Sequence, residues 1–380
     1  MKKPEARMAK RFWWRSLALA SLVWIGLGAG VSPVPSQTGE SAAASTGRRR
    51  TAAYVYDRAG LSFSDSDAKH LDQLNFSFAL IRNGEVSGSH WQGIEAYKAF
   101  VAKHPHILPV LSIGGWGADG FSQAASTEDG RARFVDSALL LMERHGFLGV
   151  DIDWEYPGSS AAGIASSSND RRNFTLLLKA LREGLNRLTD GDGKPRMLGI
   201  ALGASPSHLR NIEAGAVAPL VDQINLMTYD LHTSGITSHH TALYASEGYP
   251  LSVDTAVQNA ISAGLPKEKI MIGAAFYGHV FTLKDGGDQS LFAPASDSGS
   301  RTLTYNRIRE KLSGATAGFD EKAKAPYATD GATFITYDNA ASIRSKGAYA
   351  AQKGLMGMMC WEYGGDSSGE LLAAMYESLN

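Results

Sequence analysis

The chain has 380 residues, 44% of them hydrophobic and 41 of them glycine, enough to bury a full core in one large domain, which excludes a disordered chain. The formal net charge is −1 and no long basic stretch follows the extreme N-terminus, so nothing points to nucleic acid as a partner. With Cys360 the only cysteine, an intrachain disulfide and a cysteine-rich metal site are ruled out, and Cys360 itself reads as a small core residue.

In chain order, Lys2, Lys3, Arg7, Lys10, Arg11 and Arg15 precede an apolar run over 17–31. Residues 1–31 therefore read as a signal peptide, or as an N-terminal anchor if uncleaved, with Trp13 and Trp14 suited to a membrane interface. Residues 32–50, rich in Pro, Ser, Ala and Gly and ending in Arg48, Arg49 and Arg50, read as a flexible linker. The expected location is outside the cytoplasm, secreted or periplasmic, with no membrane partner beyond that possible anchor.

From residue 51, β-rich runs alternate with helical ones. Strands are predicted at 52–56, 73–80, 107–112, 147–153, 197–203, 223–228, 269–276 and 355–361. Between the fourth and fifth lies an amphipathic run over 173–187, in which Phe174, Leu177, Leu178, Leu181 and Leu185 recur at helical spacing. Eight strand-helix pairs suit an α/β fold of the (β/α)8 TIM-barrel type over residues 51–380. A doubly wound sheet is the competitor, but no glycine-rich phosphate loop supports it. The connection after the seventh strand is long, and residues 279–338 read as a small α+β insertion at the barrel mouth.

The fourth predicted strand carries Asp151, Asp153 and Glu155 at alternate positions, so all three face one side while Ile152 and Trp154 face the other. Three carboxylates directed into a barrel are costly unless they share protons or meet a ligand. A hard-cation site and acid–base chemistry are the two functional readings. Calcium-loop spacing is lacking, and Trp154, Tyr156 and Pro157 suit a sugar pocket better, so acid–base chemistry without metal or cofactor is expected. Crowded like charges keep one carboxyl protonated, and Glu155, at the C-terminal end of the strand, is the candidate general acid.

At this strand the sequence resembles glycoside hydrolase family 18, whose fourth strand reads D-x-x-D-x-D-x-E. Here the last three acids match and Leu148 stands at the first position. Leu111-Ser112-Ile113-Gly114-Gly115-Trp116 resembles the family's third-strand S-x-G-G, Met227-Thr228-Tyr229-Asp230 its M-x-Y-D, and the segment ending in Trp361 its eighth strand. Asn75 to Phe78 and Phe276-Tyr277-Gly278 resemble its second and seventh strands. The resemblance implies a retaining, substrate-assisted cleavage of β-1,4-linked N-acetylglucosamine polymers, chitin or chitooligosaccharides, by a monomeric chitinase-type enzyme.

Carried over by residue, the resemblance makes Glu155 the proton donor and later the base, Asp153 the partner of the acetamido N–H, and Asp151 its proton-sharing neighbour. Tyr229 would hold the acetamido oxygen, while Asp230 and Met227 shape the same pocket. Trp361 would form the pocket floor and Trp116 a stacking surface, since a sugar's apolar face packs on a flat ring. Tyr156, Gly115, Tyr277, Phe78 and Tyr54 complete the expected substrate contacts. The chain departs from the family at His279, where arginine is frequent, and in the loop after Asp230. His279 reads as structural, and His239 and His240 as solvated with no metal-ligand pattern. An endo-β-N-acetylglucosaminidase, a cell-wall glycan hydrolase and a non-catalytic chitin-binding lectin are the competing readings.

Overall fold

The computed structural model describes residues 48–284, 290–296 and 301–379; the expected leader and most of the expected linker lie outside the described residues. Eight parallel strands form the barrel: Arg50–Tyr56, Gln73–Arg82, Leu108–Gly114, Gly149–Asp153, Met197–Gly203, Gln223–Met227, Ile270–Ala275 and Gly357–Trp361. Each pairs with its chain neighbours, and the first strand closes the ring by pairing with both the second and the eighth. The α/β barrel expected from the alternating pattern is thus the observed fold, and strand ends differ from the predicted ones by a few residues. Arg48, Arg49 and Arg50, read as the end of a linker, belong to the barrel instead. Arg50 starts the first strand, Arg48 pairs with Asp72, and Arg49 donates to the Ala351 carbonyl.

Side-chain alternation explains how one sequence makes both a core and a site. Val150, Ile152 and Trp154 point outward into the layer shared with the helices, together with Leu111, Ile113, Leu198, Ile200, Ile224, Leu226 and Ile272. The opposite parity points inward, and there it is largely polar: Asn75, Ser77, Ser112, Asp151, Asp153, Gln223 and Asn225 are all buried. The helix Asp170–Asp192 covers the fourth and fifth strands through Phe174, Leu177, Leu178, Leu181 and Leu185, as its periodicity predicts, and Gly193 ends it in a left-handed turn.

After the seventh strand the chain builds a second sheet. Its five antiparallel strands lie in the order Arg301–Thr304, Tyr277–Thr282, Thr333–Tyr337, Ala325–Thr329, Thr316–Asp320, with the helix Tyr305–Leu312 inserted in the connection. This α+β insertion starts at Tyr277, two residues before the expected boundary. Its return is anchored by Asp338, which accepts hydrogen bonds from the Ala275 N–H at 3.0 Å and from Lys346 Nζ at 2.6 Å. Lys346 and Asp338 are both fully buried, and Lys346 also donates to Thr241 Oγ1 at 2.6 Å. One ion pair therefore ties the insertion, the following helix Ala340–Lys353 and the loop after the sixth strand together.

Candidate active site

The C-terminal ends of the barrel strands open into a cleft. One lobe, of about 750 Å³, is lined by Tyr56, Phe78, Gly115, Trp116 and Trp361. A second, of about 320 Å³, is lined by Asp230, Tyr277, His279 and Trp361. Trp361 is common to both. Its ring packs on Phe78 at 5.5 Å, nearly parallel, and stands at 6.0 Å from Tyr54 and 6.2 Å from Tyr56. Non-proline cis peptide bonds occur at Ser77–Phe78, within the second strand, at Glu155–Tyr156, just past the fourth, and at Trp361–Glu362, at the end of the eighth.

The acids of the fourth strand sit in three distinct environments. Asp151, at the bottom, is fully buried and both of its carboxylate oxygens accept hydrogen bonds. Oδ2 accepts from Tyr54 Oη at 2.9 Å and from Ser112 Oγ at 2.8 Å, and Oδ1 accepts from Asn225 Nδ2 at 3.1 Å. Burial pushes its pKa up while those three donors pull it back. Asp153 has no such support. Its Oδ1 is buried without a hydrogen-bond partner among the described residues, and burial, then Glu155, then Asp151 drive its pKa well above the usual carboxylate range. Glu155, partly open to the cleft, is held at about 7, chiefly by burial, with Tyr156 lowering the value and the charge of Asp230 raising it. Glu155 is thus poised to hold a proton near neutral pH, and it titrates together with Asp153.

Glycines make room for this arrangement at two points. Gly114 has φ 121°, and a Cβ there would lie 2.0 Å from the Asp153 carbonyl oxygen. A Cβ on Gly273 would lie 2.6 Å from the Tyr229 ring, so the seventh strand cedes space for that tyrosine to reach over the barrel.

Tyr229 and Asp230 follow the sixth strand. Tyr229 Oη lies 4.0 Å from Met359 Sδ, and Met227 packs with it against the small apolar cluster of Ala52, Tyr54, Met271 and Met359 inside the barrel. Asp230, in a left-handed conformation with φ 58°, turns its side chain into the cleft, where 54% of it is exposed. Tyr277 Oη donates to its Oδ1 at 2.5 Å, and His279 Nε2 lies 2.6 Å from the same oxygen. Enclosure by the cleft walls opposes its charge, yet His240 and His279 outweigh this and hold its carboxyl below the usual carboxylate range.

A family model described as glycosyl hydrolases family 18 matches residues 46–366. The chain belongs to that family. Among its relatives, Chitinase A1 of Niallia circulans is 34% identical over 69% of this chain and 41% of that protein. The class V chitinase of Arabidopsis thaliana is 30% identical over 85% of this chain and 88% of the relative. Among solved structures, a family 18 N-acetylglucosaminidase from Paenibacillus barengoltzii superimposes with a TM-score of 0.84 at 38% identity, covering 87% of this chain and 100% of the other. The chain spans less than half the length of the Niallia protein.

In this family 18 chain, the site residues expected from the sequence gather around one cleft, except that Asp151 and Tyr54 lie beneath its floor. Tyr54, read as a sugar contact, is only 2% exposed and points down the barrel to Asp151; the first strand brings it in below the cleft floor. His239 and His240, read as solvated, are both buried, because the insertion covers their loop: His239 pairs with Asp320 at 3.4 Å, and the His240 N–H donates to Thr336 Oγ1. His279, read as structural, lies against Asp230 on the cleft wall. Trp116 is 66% exposed at the rim, 6.3 Å from Tyr156, whose ring stacks on His208 at 3.7 Å.

Sequence reasoning missed Asn225, His208 and His240 as parts of this neighbourhood. Asn225 was in reach, since it precedes Met227 by two and so faces inward with it; the histidines enter from loops whose paths no periodicity encodes. Leu148 stands three residues before Asp151, at opposite parity, so Asp151 draws its support from Tyr54, Ser112 and Asn225.

Proposed function

We propose that this chain hydrolyses β-1,4-linked N-acetylglucosamine polymers, chitin or chitooligosaccharides, with retention and with the substrate's acetamido group as nucleophile. The observation that carries the reading is the unequal pair Asp153 and Glu155. Glu155 has a pKa of about 7 and opens to the cleft, which suits a group that protonates the glycosidic oxygen and then takes a proton from water. Asp153 offers a buried oxygen with no hydrogen-bond partner among the described residues, which suits the N–H of an acetamido group as it attacks the anomeric carbon. Asp151, held by Tyr54, Ser112 and Asn225, lies beneath both acids. Tyr229 reaches the same pocket and would hold the acetamido oxygen, with Trp361 under the sugar ring and Trp116 beyond the cleavage point. The names of the relatives, chitinases and an N-acetylglucosaminidase, support the same substrate class. Export, secreted or periplasmic, is the matching location for a polymer-degrading enzyme with a basic and then apolar leader.

Glu155→Gln keeps shape but removes the proton donor, so hydrolysis of chitooligosaccharides should fall by about 10²–10⁴ while their binding, followed by tryptophan fluorescence, persists. Unchanged hydrolysis would remove Glu155 from the reaction. NMR of the first products should show the β-anomer, and an initial α-anomer would exclude retention. Side-by-side assays on chitin oligomers, N-glycans and peptidoglycan fragments test the substrate, and cleavage of N-glycans alone would replace chitin in this reading.

A further inference from the structure

Beside the carboxylates the cleft holds a second cluster that the proposed reaction uses only at its edge. His240 and His279 converge on Asp230 from the loop after the sixth strand and from the first strand of the insertion. One ligand-type atom from each, two imidazole nitrogens and a carboxylate oxygen, lie within 4.8 Å of one another. We propose that Asp230, His240 and His279 form a binding site for a borderline-soft divalent cation of the zinc type, and that its occupation closes the cleft to substrate. The inhibitory half rests on the reading of Asp230 as part of the acetamido pocket; the binding half does not.

Geometry comes first. His279 Nε2 lies 2.6 Å and His240 Nδ1 3.8 Å from Asp230 Oδ1. Zinc holds nitrogen and oxygen ligands at about 2.0–2.2 Å in a tetrahedron, which puts ligand atoms roughly 3.4 Å apart. The two separations to Asp230 Oδ1 lie on either side of the required spacing, and all three ligand atoms stay within 4.8 Å of one another. The rings are already close, His240 to His279 at 4.8 Å between centroids and His232 to His279 at 4.2 Å. Because the Asp230 side chain is half open to the cleft, a fourth position remains for water or a sugar oxygen.

The electrostatics favour the same occupant. The backbone N–H of Asp230 donates to His240 Nδ1 at 3.5 Å, so that nitrogen is the unprotonated one, and it lies 3.8 Å from Asp230 Oδ1. His240 is fully buried and its Nε2 has no hydrogen-bond partner among the described residues. The carboxylate of Asp230 is the acidic member of the set, as a dication requires. Asn, Gln or Lys in place of either ring would remove this donor set; two imidazoles with one carboxylate is a combination that suits zinc. A dication there would neutralise Asp230, withdraw it from Tyr277, and occupy the lobe next to Trp361.

The experiment titrates the full chain, stripped with EDTA, with Zn²⁺ alone at pH 7 in a calorimeter, and with Co²⁺ followed by visible absorbance. One saturable site is expected, with the strong visible band of tetrahedral Co²⁺. His240→Asn and His279→Asn should each weaken it by about 100-fold, since even outer partners of metal ligands contribute roughly 10–100-fold. Circular dichroism melts establish that both variants remain folded. Absence of saturable binding to the unmodified chain, or equal affinity in both folded variants, overturns the site. Saturable binding with chitooligosaccharide affinity unchanged overturns the inhibitory half. Because calorimetry needs no turnover, a chain that bound zinc but did not hydrolyse chitooligosaccharides would refute the proposed reaction and leave the metal site standing.

Discussion

The hydroxyl of Tyr156 offers a direct test of how the cleft sets the protonation of Glu155. Burial raises the Glu155 pKa from 4.5 to about 7, and Tyr156 is the principal group that pulls it the other way, because its O–H stabilises the carboxylate. Tyr156→Phe removes that donor and keeps the ring that stacks on His208. A hydrogen bond to a charged group contributes about 1.5–3 kcal/mol, and one pKa unit equals about 1.4 kcal/mol. With Glu155 partly open to solvent the lower figure applies, so its pKa should rise by about one unit. A general acid must be protonated, hence kcat/KM falls as pH rises through that value, and the basic limb should move from near 7 to near 8. At pH 8 about a tenth of the unmodified enzyme and about half of the variant would carry the proton, so the variant would retain roughly fivefold more of its own maximal kcat/KM. The assay is the pH profile of kcat/KM on a chromogenic N-acetylglucosamine oligomer. A limb that stays in place or moves to lower pH refutes the reasoning.

Glu155→Gln also carries a stability prediction. A carboxyl whose folded pKa is raised contributes stability that is full below its unfolded value of about 4.5 and is lost as pH rises through about 7. The variant should match the unmodified chain near pH 4 and exceed it by up to about 3 kcal/mol above pH 8, measured by urea unfolding. An equal difference at both pH values would deny that burial of Glu155 is responsible. For the Lys346–Asp338 pair, Lys346→Met leaves a buried carboxylate without its cation, and a loss of about 3–5 kcal/mol is expected in the same assay. A loss below about 1 kcal/mol would mean that the pair does not hold the insertion against the barrel.

How much of this was legible in the chain follows from the range of each signal. Alternation in the fourth strand places Asp151, Asp153 and Glu155 on one side, because the strand period is a local property of the backbone. The amphipathic run under Leu177, Leu181 and Leu185 specifies its helix for the same reason. Eight repeats of that local grammar, with one long interruption after the seventh strand, leave few closed architectures, so the barrel and its insertion could be read before any coordinates.

What the sequence could not convey is which residues meet across the ring. Tyr54, Ser112, Asn225 and Asp151 come from four strands and join only because barrel closure sets the first strand beside the second and eighth and stacks their inward positions at one level. That closure turned Tyr54 from an expected sugar contact into a support for Asp151. The insertion likewise folds back over the loop after the sixth strand, burying His240 beside Asp230 and His279, where polarity alone suggested solvent. The sequence by itself determined the strands, their buried faces and the line of acids, since these depend on neighbours two to four residues apart. Tertiary structure alone decided the protonation of those acids and the histidine cluster beside them, because both depend on desolvation and on partners brought together from distant parts of the chain.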